Sequence, residues 1–400
     1  MTVPQPRIEA GRAVVPGLMN AHSHAFQRAI RGRTEHRTGA GRDTFWTWRE
    51  AMYRAANRLS PEDIYDVARM TFLEMLLTGI TTVREFHYLH NAANGSRYDD
   101  PNLLSLQVIR AAQDLGLRIV LLRTAYARAG FEQPPNPLQA RFITPDADTF
   151  LADTERLASS RSAPVGIALH SIRALPLDYI REVAQYACSK NMQVDMHIAE
   201  QPAEIEVCLA EHGHRPVELL NRTGVLNSRF TGVHAIHVRE EEINFLGRTG
   251  AAVCACPTTE RNLGDGPVPA DRLFAAGVRI CLGSDSNAQI GILEDARSLE
   301  YHLRMKKLER AILAPEQLLY AATGAVGQPS STDFFTLDLN DPSLVGTDET
   351  SLISQIVFSA ERSAVRDVFV NGRQIVQDGH HPLEHEIVQR FSEVQHRLWS

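Results

Sequence analysis

Short apolar runs alternate with longer mixed segments along most of the 400-residue chain. The runs are rich in Val, Ile, Leu and Thr and have the length of buried strands, whereas the segments between them have helical periodicity. Eight runs predict strands, at residues 13–21, 81–87, 118–124, 166–169, 193–198, 231–234, 251–255 and 278–283. Eight strand–helix repeats predict a (β/α)8 TIM-like barrel, an α/β fold whose active sites lie at the carboxyl ends of the strands.

The segments between the runs predict helices. Ser60-Pro61-Glu62-Asp63 combines a cap residue, a proline at the first helical position and acids in the first turn. Further helices are predicted at 101–115, 146–159, 177–190, 203–222, 239–248, 269–276 and 293–311. The segment between His24 and Ser60 is predicted to be a long aromatic loop, and loops of that length usually bind ligands or close over a site.

The pattern changes after about residue 329. Residues 333–340, 354–359 and 365–377 predict antiparallel strands, and 384–398 predicts a terminal helix. We therefore predict three parts: 1–15 as a short N-terminal segment of a small β annex, 16–328 as the barrel, and 329–400 as the C-terminal annex strands with the terminal helix.

Composition and charge favour a folded domain and argue against a nucleic-acid-binding or membrane-spanning protein. A hydrophobic content of 44% with 22% charged residues is typical of a folded domain. The formal net charge of −7 argues against a nucleic-acid surface. The five cysteines are few and odd in number, which favours reduced thiols in a cytoplasmic protein. We expect no membrane span, because no apolar run reaches the required length.

Two histidines leave the tip of the first predicted strand, as His22-Ser23-His24. Side chains two apart on a strand point the same way, so both imidazoles can reach one metal ion. Taken alone the pair is a weak signal, because a histidine at a strand end more often forms an ordinary hydrogen bond.

The later predicted strands also end in polar groups that a barrel would gather into one ring. These are Glu85, His87 and Tyr88 at the end of the second strand, His170 and Arg173 at that of the fourth, His197 and Glu200 at that of the fifth, His234 and His237 at that of the sixth, and Asp285 at that of the eighth. Three imidazoles and a carboxylate suit Zn²⁺ or Fe²⁺. Asp285 has an alternative interpretation as the cap of the following helix.

The sequence resembles the amidohydrolase superfamily in Pro16-Gly17-Leu18, in His22-Ser23-His24, in His-Ile-Ala-Glu at 197–200, in His234 and in Gly-Ser-Asp-Ser at 283–286. Within the superfamily it is most similar to the formimidoylglutamate deiminase family. The segments that carry this closer similarity are 22–28, 45–50, 85–90, 170–174, 197–201 and 259–266. The resemblance covers nearly the whole chain.

The resemblance implies a metal site, a proton-transfer apparatus and a substrate pocket. The implied metal is one Zn²⁺, with Fe²⁺ or another divalent ion as alternatives, held by His22, His24 and His197 with Asp285 on or beside it. The implied catalytic residues are Glu200, His234 and Asp285. The implied substrate-binding residues are Gln27, Arg49, Tyr88, His170 and Arg173.

The resemblance also implies the reaction, the hydrolysis of N-formimino-L-glutamate to N-formyl-L-glutamate and ammonia in histidine degradation. This small anionic amidine carries two carboxylates, which planar guanidinium groups bind at two points. Other interpretations are a solvated surface acid for Glu200, stacking on Trp46 or Trp48 for Arg49, and a helix-start ion pair for Arg173. We also expect a homodimer.

Two alternative functions remain at this point. One is another deaminase of the superfamily, acting on a guanidino acid or a nucleobase, and the other is a non-catalytic barrel. The family's annex normally begins with a longer segment before Pro-Gly-Leu, whereas fifteen residues precede Pro16 here. We therefore expect a shortened annex.

Overall fold

The computed structural model describes residues 5–36, 43–324, 326 and 330–400. Two short antiparallel strands come first, β1 (Arg7–Glu9) and β2 (Arg12–Pro16). Eight strands of a second sheet follow: β3 (Leu18–Ser23), β4 (Ile80–His87), β5 (Arg118–Ala125), β6 (Val165–Leu169), β7 (Val194–Ile198), β8 (Phe230–His234), β9 (Ala252–Ala255) and β10 (Arg279–Leu282). Three more strands lie near the C-terminus: β11 (Phe334–Asp338), β12 (Val365–Val370) and β13 (Arg373–Val376).

Helices separate these strands and pack around the second sheet. The α-helices of the described residues are α1 (Phe45–Ala56), α2 (Pro61–Leu76), α3 (Leu103–Leu115), α4 (Ala147–Ser159), α5 (Leu177–Ser189), α6 (Pro202–His212), α7 (Pro216–Arg222), α8 (Glu240–Thr249), α9 (Pro257–Leu263), α10 (Ala270–Ala275), α11 (Ile292–Lys307), α12 (Pro315–Thr323), α13 (Leu352–Phe358) and α14 (Glu384–Trp399). Short 3-10 helices span Ala25–Ile30, Pro137–Gln139 and Arg362–Ala364. No helix in the described part of the chain is long and apolar enough to cross a membrane.

The predicted (β/α)8 barrel is confirmed. Strands β3 to β10 pair in parallel in chain order, and their interior positions are buried. A parallel bridge between Ser23 and Asp285 brings the first and last strands together. There the backbone N–H of Asp285 donates to the carbonyl of His22 at 3.0 Å, and that of His24 donates to the carbonyl of Asp285 at 2.9 Å. The barrel therefore closes at the histidine pair.

The prediction of one strand over 13–21 is wrong, because the chain changes sheets at Gly17. Strand β2 pairs with β11, whereas β3 pairs with β4. A Cβ on Gly17 would lie 2.2 Å from Oγ1 of Thr81, so only glycine fits at this crossing. Both flanking strands are buried, and for this reason the apolar run does not reveal the break.

Strands β1, β2, β11, β12 and β13 form the annex, so the N-terminal segment supplies two of its strands. The strand predicted at 354–359 is wrong, since this region lies largely in helix α13, which packs against α11 and α12. Its buried residues Leu352 and Ile356 are four apart, a helical spacing. The predicted boundary between residues 328 and 329 lies outside the described residues.

The described part of the segment from 24 to 60 contains two helices, which corrects the prediction of a loop. It contains the 3-10 helix Ala25–Ile30 and helix α1, while residues 37–42 lie outside the described residues. Thr44 begins α1, and its backbone N–H donates to Oγ1 of Thr47 at 3.0 Å. The predicted helix at 203–222 is two helices, α6 and α7.

Candidate active site

Three histidines and an aspartate meet at the carboxyl end of the barrel. His22 and His24 come from the end of β3, His197 from β7, and Asp285 from the turn after β10, and all four are buried. The Nε2 atom of His197 lies 3.2 Å from Nε2 of His22 and 3.4 Å from Nε2 of His24. Oδ1 of Asp285 lies 3.3 and 3.2 Å from the same two Nε2 atoms.

In His24 and His197, the Nδ1–H group is hydrogen-bonded to a backbone carbonyl. Their Nε2 atoms are therefore unprotonated, and the Nε2 lone pairs are available to bind a metal ion. Nδ1 of His24 donates to the carbonyl of Phe86 at 2.8 Å, and Nδ1 of His197 donates to the carbonyl of His170 at 2.9 Å. Bare lone pairs and a carboxylate that face one another repel unless a cation lies between them. Ligands of tetrahedral zinc at ordinary bond lengths lie about 3.3 Å apart, which matches this cluster.

The protonation of the four groups suits a divalent metal. Burial lowers the pKa of His22 to about 3, although Asp285 opposes the shift. Burial and the neighbouring imidazoles lower the pKa of His197 well below its usual value. Burial alone would raise the pKa of Asp285, but hydrogen bonds with His22 and His24 hold it well below the usual range. His22 and His197 are therefore neutral imidazoles and Asp285 is a carboxylate, the forms that bind metals.

Unusual backbone conformations occur where the barrel strands end and orient the side chains of the site. Ala199, His234 and Asp285 have φ values of +51°, +74° and +48°, the left-handed region that non-glycine residues rarely adopt. The side-chain amide of Asn287 donates to the carbonyl of His24 at 3.0 Å and to that of Asp285 at 3.2 Å. Such strain persists only where the surrounding structure fixes it, as at many functional sites.

Two predicted catalytic groups lie beside the cluster. Nε2 of His234 is 3.6 Å from Oε1 of Glu200 and 3.8 Å from Oδ2 of Asp285. Burial would lower the pKa of His234, but three carboxylates, led by Glu200, outweigh it and raise the pKa to about 10. Burial raises the pKa of Glu200 to about 7, although His234 opposes the shift. Glu200 thus changes protonation near neutral pH, which suits a group that both accepts and donates protons.

Sequence reasoning missed two acids that support these groups. Glu204 on α6 accepts the backbone N–H of Ala199 at 3.2 Å and that of Glu200 at 3.0 Å, so it holds the turn after β7. Glu260 on α9 lies 3.3 Å from Nδ1 of His234, so it orients the imidazole. Glu204 lies four residues after Glu200. This spacing does not indicate a supporting role until the conformation of the turn between β7 and α6 is known.

A narrow cavity joins the metal-ligand cluster to the predicted substrate pocket. All five predicted substrate-binding residues line it: Gln27, Arg49, Tyr88, His170 and Arg173. His24, His197, Glu200, His234 and Asp285 line it as well. The structure therefore brings the predicted residues together, with His22 behind the other ligands. Helix α1 adds Phe45, Trp48, Met52 and Tyr53, whose helical spacing was the signal that the loop prediction overlooked.

The cavity contains hydrogen-bonding atoms without partners. Nε and Nη1 of Arg49 and Nε of Arg173 are buried and have no hydrogen-bond partner among the described residues. No described carboxylate forms an ion pair with either arginine. Gln27 donates its amide to the Tyr88 hydroxyl at 2.7 Å, and its buried Oε1 has no partner. Buried donors of this kind are costly unless a ligand accepts from them.

Comparisons with known proteins agree with this geometry. Residues 13–375 match the amidohydrolase family. The chain is 39% identical to the formimidoylglutamate deiminase of Pseudomonas aeruginosa, over 96% of this chain and 89% of that protein. It is 30% identical to the 8-oxoguanine deaminase of the same organism, over 80% of this chain and 70% of that protein.

Solved structures show the same fold. An amidohydrolase from Brucella melitensis superposes with a TM-score of 0.90 at 34% identity, covering 99% of this chain and 96% of that one. An adenosine deaminase from Xanthomonas campestris with bound zinc superposes with a TM-score of 0.81 at 20% identity, covering 97% and 86%, which shows the fold alone. The chain belongs to the amidohydrolase family and is a hydrolase of carbon–nitrogen bonds.

Proposed function

We propose that the protein is a zinc-dependent deiminase that converts N-formimino-L-glutamate and water to N-formyl-L-glutamate and ammonia, a step of histidine degradation. One observation carries the proposal: Arg49 and Arg173 place unpaired guanidinium nitrogens on the cavity that also contains the metal-ligand cluster. Two guanidinium groups without described carboxylate partners favour a ligand with two carboxylates. The similarity to a formimidoylglutamate deiminase supports the same substrate.

The metal would be held by His22, His24, His197 and Asp285. Their separations and their protonation fit a divalent ion with nitrogen and oxygen ligands. When bound, such an ion activates a water molecule for attack on the amidine carbon.

The protein's own residues would move the protons. Asp285 would accept one proton of the attacking water, and His234, whose Nε2 lies 3.8 Å from Oδ2 of Asp285, would form a hydrogen bond with that water. Glu200 would bind the amidinium as a carboxylate, accept the second proton of the water once the oxygen is bonded to carbon, and donate that proton to the nitrogen that leaves as ammonia when the C–N bond breaks. The pKa of Glu200, raised by burial to about 7, suits both roles near neutral pH.

The remaining polar groups would orient the substrate. Arg49 and Arg173 would each bind a carboxylate, while the free Oε1 of Gln27 would accept an N–H of the amidine. The pKa of His170 is lowered well below its usual value by burial and by Arg173, so its imidazole is neutral and adds no repulsion to a cationic amidine. A neutral nucleobase would leave both guanidinium groups unpaired, which disfavours the nucleobase deaminase alternative.

The pocket assignment is tested by Arg49→Ala and Arg173→Ala. Each variant should raise KM for N-formimino-L-glutamate by about 10- to 100-fold, because each removes a charge-assisted hydrogen-bonding group. The matched control is Arg54→Ala on the same helix, whose side chain is 70% exposed and pairs with Glu50. Steady-state ammonia release gives KM. Unchanged kinetics in both pocket variants would refute the assignment.

A further inference from the structure

The aromatic ring of Trp46 lies beside both Arg49 and Arg173. We call the part of the cavity that these two arginines line the anion pocket. Trp46, Arg49 and Tyr53 stand at positions i, i+3 and i+7 of α1 and so share one helix face. Cζ of Arg49 lies 4.5 Å from the centroid of the Trp46 ring and 5.6 Å from that of Tyr53. Cζ of Arg173, which comes from a different part of the chain, lies 5.5 Å from the same Trp46 ring.

The two guanidinium groups need an attractive partner. Burial lowers the pKa of Arg49, and the positive charge of Arg173 lowers it further. No described carboxylate forms a close ion pair with either group, although Glu200 interacts favourably with Arg49, and an aromatic face lies beside each guanidinium group. A cation beside an aromatic face gains most where water is excluded, as it is around the buried nitrogens of these side chains.

Trp46 lies on the outer side of the arginines. A second cavity, of about 540 Å³, is lined by Trp46, Arg49 and Arg173 but by none of the metal-ligand residues. The inner cavity is lined by both arginines and not by Trp46. The guanidinium groups therefore form a shared wall, and the indole contacts them from the side away from the metal-ligand cluster.

We propose that Trp46 is the positioning residue of the anion pocket, holding both guanidinium groups toward the inner cavity and thereby setting the preference for amidines with two carboxylates over amidines without a carboxylate. This inference rests on the proposed function, because it concerns how the same pocket selects its substrate. Trp46 would act through the arginines and would not touch the reacting atoms.

The test compares two substrates in the zinc-loaded enzyme. For Trp46→Leu, KM for N-formimino-L-glutamate should rise about 10- to 100-fold while kcat changes less than about 3-fold, since two buried cation–π contacts are lost. The kinetics with N-butylformamidine, which has no carboxylate, should be unaffected. Trp46→Phe should restore most of the affinity. The matched control is Tyr65→Leu, because the Tyr65 ring also lies beside two guanidinium groups, at 4.6 Å from Arg110 and 5.3 Å from Arg69, outside the site.

Binding of glutarate, measured by calorimetry, separates this inference from the proposed function. If the wild type binds glutarate and Trp46→Leu binds it at least about 10-fold more weakly, the inference stands even where the deiminase assignment fails. Three results would overturn it: no measurable binding of glutarate by the wild type, equal glutarate affinity in wild type and Trp46→Leu, or an equal rise of KM for both amidines. Should Trp46→Leu not fold, Trp46→Phe gives the same test, with glutarate affinity expected to fall about 3-fold. Glutarate affinity equal to that of the wild type would again overturn the inference.

Discussion

At the residue scale, the chemistry depends on how hydrogen bonds orient the imidazole rings of the site. The hydrogen bonds of His24 and His197 to backbone carbonyls direct their Nε2 atoms toward Asp285. Glu260 similarly orients His234 from the opposite side of its ring. Four of these residues, His24, His197, His234 and Asp285, were predicted from the sequence because they lie at the ends of apolar strands. Glu260 received no predicted role, because it lies on α9 and contacts His234 at the end of β8. That contact becomes visible only once the strands are folded together.

Glu200 gives the sharpest test of a catalytic role. Glu200→Gln keeps the size of the side chain but removes its capacity to transfer protons, so kcat should fall by about 10²- to 10⁴-fold. Zinc content, measured by mass spectrometry, should stay at the wild-type level. The matched control is Glu206→Gln, an exposed position on α6. A variant with wild-type kcat would remove Glu200 from the mechanism.

At the element scale, the strands and most helices follow from the periodicity of the sequence, whereas changes of sheet do not. The break at Gly17 occurs between two buried strands, and burial alone gives both the same pattern. Helix α1 was predicted as part of a loop because its first turn, Phe45-Trp46-Thr47-Trp48, is mostly aromatic and shows no alternation of apolar and polar positions. The region at 354–359 was predicted as a strand because its apolar residues are too few to distinguish the two periods.

Closure of the barrel depends on a glycine at the end of β10. A Cβ on Gly283 would lie 2.7 Å from the carbonyl oxygen of His22 and 2.9 Å from its backbone nitrogen. Gly283→Ala should therefore lower the free energy of unfolding by about 1–3 kcal/mol and weaken zinc binding, because the backbone of His22 must move. The matched control is Gly291→Ala, where the nearest atom, Cβ of Glu294, is 3.8 Å away. Urea unfolding and metal titration measure both effects, and equal values for the two variants would contradict the account.

At the scale of the whole molecule, the site exists because barrel closure joins the first and last strands. The bridge between Ser23 and Asp285 brings the Asp285 carboxylate to within 3.3 Å of both imidazoles of the histidine pair. The sequence predicts this convergence once eight strand–helix repeats are counted. It does not predict how the N-terminal hairpin of β1 and β2 joins the annex, because β11, the strand that pairs with β2, lies more than 300 residues away in the chain.

Buried Glu85 makes the stability of the fold depend on pH. Burial raises the pKa of Glu85 from 4.5 to about 8, although its hydrogen bond from the backbone of Ala25 opposes the shift. The folded protein therefore holds this proton over a range in which the unfolded chain has lost it. Its contribution to the free energy of unfolding is fully present below about pH 4.5 and is lost as the pH rises to about 8.

Glu85→Gln removes this titration while keeping an acceptor for Ala25. Between about pH 5 and about pH 8, the wild type should lose stability relative to Glu85→Gln, as measured by urea unfolding at each pH. A stability difference between the two proteins that is independent of pH, or that changes in the opposite direction, would contradict the assigned protonation.

The most direct measurement is ammonia release by the zinc-loaded protein with N-formimino-L-glutamate, N-guanidino-L-glutamate, guanine and 8-oxoguanine. The account predicts that kcat/KM for N-formimino-L-glutamate exceeds that for each of the other three compounds by at least about 100-fold. Equal or faster ammonia release from a nucleobase or from the guanidino acid, or none from N-formimino-L-glutamate, would contradict it.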